Sequence, residues 1–208
     1  MTKERIYKIF SHIPTIKTNR LILRAVKPSD AIDVYEYSSD AEVPKYLLWY
    51  PHSSIEYTRE QLNRIKQEYR IGKYYDWAIE LSQGEHRGKM IGTCGFTSFD
   101  FQNNSAEVGY VLNRNFWGKG IAAEALSAII SFGFDELILR RIEAKFIAEN
   151  LKSRRVMEKC GMAFEGILRS SMMVKHEYRD IGVCSILSDE YIRSRSKKHF
   201  HNEYGEVL

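Results

Sequence analysis

The chain has 208 residues, with 31 Lys and Arg against 27 Asp and Glu, and a formal net charge of +4. Hydrophobic residues make up 44% and charged residues 28%, a globular composition that excludes an intrinsically disordered chain. The positive charge is too small and too dispersed to indicate a nucleic-acid-binding protein. The sequence holds no apolar run near the roughly 20 residues that cross a bilayer, and no signal-peptide apolar stretch at its start.

The predicted elements alternate irregularly between helix and strand. Apolar periodicity and turn residues place helices at about 28–37, 55–71, 121–134 and 150–159. The same signals place strands at about 20–26, 75–81, 89–99, 106–112, 141–147, 163–175 and 181–188. Because helices separate only some of the strands, a mixed sheet is expected.

One domain is expected, because no repeat or low-complexity linker divides the sequence. We place it at 18–192, between an N-terminal arm at 1–17 and a polar C-terminal tail at 193–208. The basic run in that tail, Arg193 to Lys198, is interpreted as a solvated end rather than a site for an acidic partner or RNA.

The cysteines indicate a compartment rather than a site. Cys94, Cys160 and Cys184 are far apart, odd in number, and form no Cys-x-x-Cys pair. This argues against a zinc site or a secreted disulfide scaffold and favours a reducing cytosol. We therefore expect a cytoplasmic protein without a metal.

The most informative segment is the turn between the strand ending at Leu112 and the helix beginning at Ile121. It contains Gly118-Lys119-Gly120. The first N–H groups of a helix have no intrahelical partner, and the helix dipole adds partial positive charge there. The two glycines leave the backbone open to an anion and Lys119 adds a full charge, so a phosphate or pyrophosphate site is expected. The alternative is a tight turn without a ligand.

Spacing excludes two better-known phosphate motifs. A P-loop needs Gly and Ser or Thr where this chain has Asn113 and Gly120. A dinucleotide fingerprint needs a third glycine where the chain has Ala123.

Two motifs carry a resemblance to a known family. The run from Asn115 through Trp-Gly-Lys-Gly-Ile-Ala-x-Glu-Ala resembles the acetyl-CoA loop of the Gcn5-related N-acetyltransferase (GNAT) superfamily, in its RimJ/RimL-like branch that acetylates protein N-termini. It departs from the usual loop at Asn115, where the family has Gln or Arg. The segment Asn150-Leu-Lys-Ser153, with its terminal turn from Gly161 to Gly166, is similar to a second motif of that branch.

The resemblance covers most of the chain and implies its fold. A single α/β (α+β) domain of the GNAT type is expected, with a mixed, mostly antiparallel, twisted central sheet of about seven strands flanked by about four helices. The resemblance also implies acetyl-CoA as the cosubstrate.

The resemblance further implies where acetyl-CoA binds. The strand before the turn is expected to splay from its neighbour and free backbone groups for pantetheine, with Gly109 marking either a bulge or close packing. Asn150 is expected to bind the pantetheine amides, although an ordinary helix N-cap has the same sequence signature. The full set of expected cofactor-binding residues is Tyr110, Val111, Leu112, Trp117, Gly118, Lys119, Gly120, Ile121, Ala122, Asn150 and Ser153.

Two residues are predicted to be catalytic. Many family members place a tyrosine four residues after Ser153, where this chain has Met157, which cannot donate a proton. Ser153 is therefore expected to protonate the leaving thiolate, the alternative being a helix-surface serine. Glu107, at the start of the thioester strand, is the predicted base for the amine, the alternative being a solvated carboxylate. The base matters less for an α-amine, roughly 10% neutral at pH 7, than for a lysine, neutral about one time in 2,500.

The predicted function is acetyl transfer to a primary amine, with the N-terminal α-amine of a ribosomal-type protein or a peptide as first choice. Acetylation of a polyamine, an amino-acid derivative or an aminoglycoside is left open, as is a non-catalytic acyl-CoA sensor. Neither a membrane nor a nucleic acid is expected as a partner, and the protein is expected to be a monomer or homodimer. Tyr46, Trp49 and Tyr50 either wall an acceptor groove or pack on their own domain.

Overall fold

The computed structural model describes residues 1–204, with side chains through 196. Eight strands form one sheet in the order β1-β2-β3-β4-β5-β6-β8-β7. The strands are β1 Ile16–Lys17, β2 Leu21–Arg24, β3 Asp76–Leu81, β4 Met90–Asp100, β5 Ser105–Leu112, β6 Arg141–Ile147, β7 Ala163–Val174 and β8 Glu177–Leu187. The α-helices are α1 Lys3–Ser11, α2 Ala31–Ser38, α3 Ile55–Arg70, α4 Ile121–Asp135, α5 Leu151–Lys159 and α6 Ser188–Tyr204.

The expected mixed, mostly antiparallel sheet is confirmed, since β5 and β6 are its one parallel pair among the described residues. Their register covers only Ser105–Glu107 against Arg141–Glu143. Both strands continue, β5 to Leu112 and β6 to Ile147, but they no longer pair with each other. The sheet therefore splits beyond Glu107. We call this opening the splay.

Helices cover the sheet on both faces. The apolar side of α4, with Ala125, Leu126, Ile129 and Ile130 fully or nearly fully buried, packs with Met157 of α5 into the larger core. The helices α2 and α3 bury Val34 and Leu62 in a second core on the opposite side. Below, these are the α4/α5 face and the α2/α3 face. No helix in the described part of the chain is long and apolar enough to cross a membrane.

Three elements go beyond the sequence expectation: α1, the two-residue β1, and α6. The segment expected as an arm forms α1, which completely buries Ile6 and Phe10, and the Phe10 ring lies edge-on to Trp77 with centroids 5.3 Å apart. Ile6, Tyr7, Ile9 and Phe10 recur at helical spacing, a signal that the sequence analysis did not use. Helix α6 runs through the expected tail as far as Tyr204, and residues 205–208 lie outside the described part of the chain.

Candidate active site

Two left-handed glycines shape the turn before α4. Gly118 and Gly120 both have φ of 76°, a conformation that costs side-chain-bearing residues energy. A side chain at Gly118 would point into open space. Gly120 is the N-cap of α4 and offers no side chain to the N–H groups of the first turn, so those of Ile121 and Ala122 are left for an outside acceptor. The turn therefore has the open, N–H-lined cradle that an anion requires.

Arg20 and Glu124 brace this turn from behind. The Arg20 Nε atom lies 2.7 Å from Glu124 Oε2, and Arg20 Nη1 donates to the Lys119 carbonyl oxygen at 2.9 Å. Burial raises the pKa of Glu124, but hydrogen bonds from Thr18 and Arg20 outweigh burial and lower the pKa below its ordinary value. The sequence analysis assigned no role to Arg20, because its partner lies 104 residues away.

Aromatic rings hold two lysines beside the turn. Trp117 Nε1 donates to the Leu112 carbonyl oxygen at 2.7 Å, which ties the turn to the end of β5. Lys152 Nζ lies 5.3 Å from the centroid of the Trp117 ring, and Lys119 Nζ lies 5.2 Å from that of Phe116. Long-range attraction to an anion is a natural role for such exposed charges.

On the α4/α5 face, two hydroxyls meet at the splay. Tyr110 Oη lies 2.8 Å from Ser153 Oγ and donates to the Ser153 carbonyl oxygen at 3.1 Å. Burial raises the pKa of Tyr110 well above its ordinary value, while the hydrogen bond with Ser153 acts in the opposite direction. Tyr110 is therefore a protonated phenol at neutral pH. Strand alternation places the Tyr110 side chain on the same face as Val108 and Leu112. This alternation was the sequence signal for the face on which Tyr110 lies.

Asn150 lies at the start of α5, and Met157 lies on its buried side. Asn150 Oδ1 accepts a hydrogen bond from the Ser153 backbone N–H at 3.2 Å, so Asn150 is the N-cap of α5. Met157 is 2% exposed and packs in the core. Hence Tyr110, rather than a residue on the helix, supplies the phenol near Ser153.

On the α2/α3 face, Glu107 is held in an ion pair. Its Oε2 atom lies 2.7 Å from Lys145 Nζ, and Lys145 also lies 3.3 Å from Glu143 Oε1. The hydrogen bond that Lys145 donates to Glu107 raises the pKa of Lys145. The predicted base thus lies where β5 and β6 separate, with an ammonium already beside it. Val111 lies four residues beyond Glu107 on β5, hence on the same face, and packs against the α2/α3 core.

The aromatic stretch before α3 contacts the β7–β8 hairpin. Tyr46 packs against the small core around Ile147 and Val174. Lys175 donates to the Pro44 carbonyl oxygen at 2.6 Å and lies 5.4 Å from the centroid of the Tyr50 ring. Trp49 packs against the α2/α3 core instead. The stretch therefore closes one end of the α2/α3 face.

The split sheet and the glycine turn together have the architecture of an acetyltransferase, and comparison with known proteins agrees. Residues 20–163 match the acetyltransferase (GNAT) domain family. The chain belongs to this family and is an acyltransferase. It is 37% identical over 177 residues to the uncharacterized N-acetyltransferase p20 of Bacillus licheniformis, covering 85% of this chain and 98% of that protein. A GNAT-family acetyltransferase structure from Bacillus anthracis superposes with a TM-score of 0.74 at 33% identity, covering 85% of this chain and 99% of that one.

Two further relatives have named acceptors, and they differ. The ribosomal-protein-serine acetyltransferase of Escherichia coli is 30% identical over 101 residues, covering 49% of this chain and 56% of that protein. The spermidine N(1)-acetyltransferase of Vibrio cholerae is 22% identical over 174 residues, covering 84% of this chain and 96% of that protein.

Proposed function

We propose that this enzyme transfers the acetyl group of acetyl-CoA to a primary amine, with the α-amine of a protein or peptide as the first acceptor class. One observation carries the proposal. The Tyr110–Ser153 hydroxyl pair lies at the splay, on the strand that leads into the glycine turn. This position supports a proton donor between an anion cradle and an opening in the sheet.

The chain offers a continuous site for the cosubstrate. The N–H groups from Gly118 to Ala122 would hold the pyrophosphate, with Lys119 and Lys152 nearby. Beyond Glu107 the β6 side of β5 has no strand partner, so its backbone groups at Tyr110 to Leu112 would bind the pantetheine amides. When bound, acetyl-CoA supplies a thioester carbonyl activated toward attack by an amine.

Ser153 is proposed as the acid that protonates the departing thiolate, with Tyr110 as its partner. A serine hydroxyl is a weak acid alone, but a hydrogen-bonded phenol behind it can replace the proton it gives. Met157 supports this assignment, because it is buried and offers no hydroxyl group where many family members have a tyrosine.

Glu107 is proposed as the base that takes the amine proton, acting through water. The carboxylate lies on the α2/α3 face, opposite the hydroxyl pair, so acid and base would serve the thioester from the two sides of the sheet. To accept a proton, Glu107 has to exchange its contact with Lys145 for one with the acceptor ammonium or a water.

A small polyamine is the second candidate acceptor. The spermidine acetyltransferase aligns over 84% of this chain, whereas the ribosomal-protein-serine enzyme aligns over 49% at higher identity. These two relatives have different acceptors, so they do not select between a protein and a polyamine.

We propose the cytoplasm as the location, since Cys94, Cys160 and Cys184 are all free thiols.

The deciding experiment is an acceptor screen that detects free CoA. Peptides with a free N-terminus are each compared with the same peptide acetylated at that end, which keeps lysines available, and spermidine is tested alongside. CoA release with only the free N-termini supports the first choice. Release with spermidine alone supports the polyamine, and release with the blocked peptides assigns lysine as the acceptor.

A further inference from the structure

A carboxylate that the sequence analysis did not select lies on the same face as Glu107. Asp76 begins β3, and strand alternation places it with Ala78, on the α2/α3 face, while Trp77 and Ile79 point into the larger core. Asp76 is partly accessible. Its pKa receives no contribution from a neighbouring cation. Such a carboxylate is unusual, because its surroundings desolvate it and raise its pKa, and desolvated charges in proteins are normally paired.

Two glycines lie between Asp76 and the splay. Across the sheet, Asp76 pairs with Gly95 of β4, and Gly95 pairs with Gly109 of β5. A Cβ on Gly95 would come within 2.5 Å of Asp76 Oδ1, so this oxygen lies against the Gly95 backbone. A Cβ on Gly109 would have only Thr97 as a neighbour, at 3.0 Å.

This geometry leaves room for a reacting group. Paired Cα atoms of neighbouring strands lie about 5 Å apart, so the carboxylate is less than about 10 Å from Gly109. Gly109 lies two residues beyond Glu107, which is the last residue of β5 that pairs with β6. The Thr97 methyl group borders the interval at Gly109, and the two glycines add no side chain of their own, so an ammonium would lie against Asp76 with an acyl group beside β5.

Aromatic side chains surround the carboxylate. The titratable groups that face Asp76 are Tyr37 from α2, Tyr69 from α3 and Tyr74 before β3. The Tyr69 hydroxyl donates to the Asp76 backbone carbonyl. Burial raises the pKa of Asp76 to about 7, against the effect of a hydrogen bond from Tyr74. None of these groups brings a positive charge.

A primary ammonium would supply the positive charge that the surroundings of Asp76 lack. It provides the missing cation, three N–H donors for the carboxylate and the phenol oxygens, and a charge that aromatic rings attract. A phosphate or a carboxylate would be repelled, and an uncharged group would leave Asp76 unpaired.

We propose that Asp76 is the ammonium-binding residue of the acceptor site, where it places the amine between Gly109 and Glu107. This inference rests on the proposed function, and it adds that the acceptor is selected as a cation. Asp76 would hold the charged amine until the proton leaves toward Glu107.

The test uses n-butylammonium as the probe, with 1-butanol as its uncharged analogue, titrated by NMR into the full-length protein loaded with CoA. Asp76→Asn is compared with Glu60→Gln, which removes the same charge from an exposed position of α3. Asp76→Asn should weaken butylammonium binding about 10- to 100-fold at pH 8, as expected for losing a charged hydrogen bond, whereas Glu60→Gln should not change it. Wild-type affinity should also rise as the pH passes about 7, and this rise should be absent from Asp76→Asn.

Equal butylammonium affinity in wild type and Asp76→Asn, or equal binding of butylammonium and 1-butanol by wild type, would overturn the inference. Activity separates this outcome from failure of the proposed function. Acetyl transfer with unchanged KM and kcat in Asp76→Asn leaves the function standing and removes the ammonium site. Loss of probe binding in Asp76→Asn, together with no acetyl transfer to any amine by wild type, leaves the ammonium site standing and removes the function.

Discussion

The hydroxyl groups of Tyr110 and Ser153 lie 2.8 Å apart, although one belongs to a strand and the other to a helix 43 residues further along the chain. The contact exists because β5 and β6 separate beyond Glu107, which lets the start of α5 approach β5. The phenol next to Ser153 therefore comes from strand β5, because Met157 of α5 is buried in the core and has no hydroxyl group.

Gly120→Val is expected to lower acetyl-CoA affinity at least tenfold. Valine at φ of 76° is strained, and its Cβ would lie 3.6 Å from Arg20 Nη2, so the turn that presents the N–H groups would have to change shape. Calorimetric titration measures the loss. Gly84→Val is the matched control, because Gly84 has φ of 80° in an open hairpin turn. Equal affinity in wild type and Gly120→Val would exclude the turn as the pyrophosphate site.

Lys119→Ala is expected to weaken acetyl-CoA binding modestly and to flatten its dependence on salt. The Lys119 ammonium is exposed beside the Phe116 ring, and ions screen attraction between solvent-facing charges. Binding is measured between low and physiological ionic strength. A salt slope identical to that of wild type would show that Lys119 does not act on the phosphates.

Ser153→Ala is expected to lower the single-turnover rate about 10²-fold, with little change in acetyl-CoA affinity, because a general acid acts in the transition state. Tyr110→Phe should lower the same rate. The double variant should lose less than the two single effects combined, since the hydroxyls share one hydrogen bond. Full activity in Ser153→Ala would return Ser153 to a structural role.

Glu107→Gln is expected to slow acetyl transfer most at neutral pH, with recovery as the pH approaches the pKa of the acceptor amine. For an α-amine acceptor, recovery should be nearly complete by about pH 9, while for a lysine or a polyamine it should still be rising there. Glu143→Gln is the matched control, because Glu143 also pairs with Lys145. A defect of constant size across the pH series would mean that Glu107 supports the strand instead of acting as the base.

Asp76→Asn is expected to stabilise the fold at alkaline pH. The pKa of Asp76 is raised to about 7 in the folded protein, so the unfolded carboxyl ionises first and the wild type loses stability as the pH rises from about 4 to about 7. Asparagine removes that loss, which corresponds to roughly 2–4 kcal/mol at pH 8. Urea unfolding at pH 4 and pH 8 measures it. A difference between variant and wild type that does not grow with pH would refute the raised pKa of Asp76.

Local signals determined much of this protein from its sequence. Gly118 and Gly120, followed by the apolar period of α4, were enough to predict an anion-binding turn. A left-handed backbone favours glycine, and a helix with one buried face repeats its apolar residues at a regular spacing. Strand β6 was predicted with the bounds it has, 141–147. Helix α1 was missed, although Ile6, Tyr7, Ile9 and Phe10 recur at helical spacing, because the charged residues between them were interpreted as a solvated arm.

Only the tertiary structure decided which side chains meet. Alternation along β5 places Tyr110 and Glu107 on opposite faces of the sheet, but the partner of each side chain depends on strand register and on where the sheet splits. Lys145 reaches Glu107 from 38 residues away, and Asp76 lies near the splay because two glycines on separate strands align beside it. Periodicity describes one segment at a time, whereas these contacts are set by the packing of several segments together.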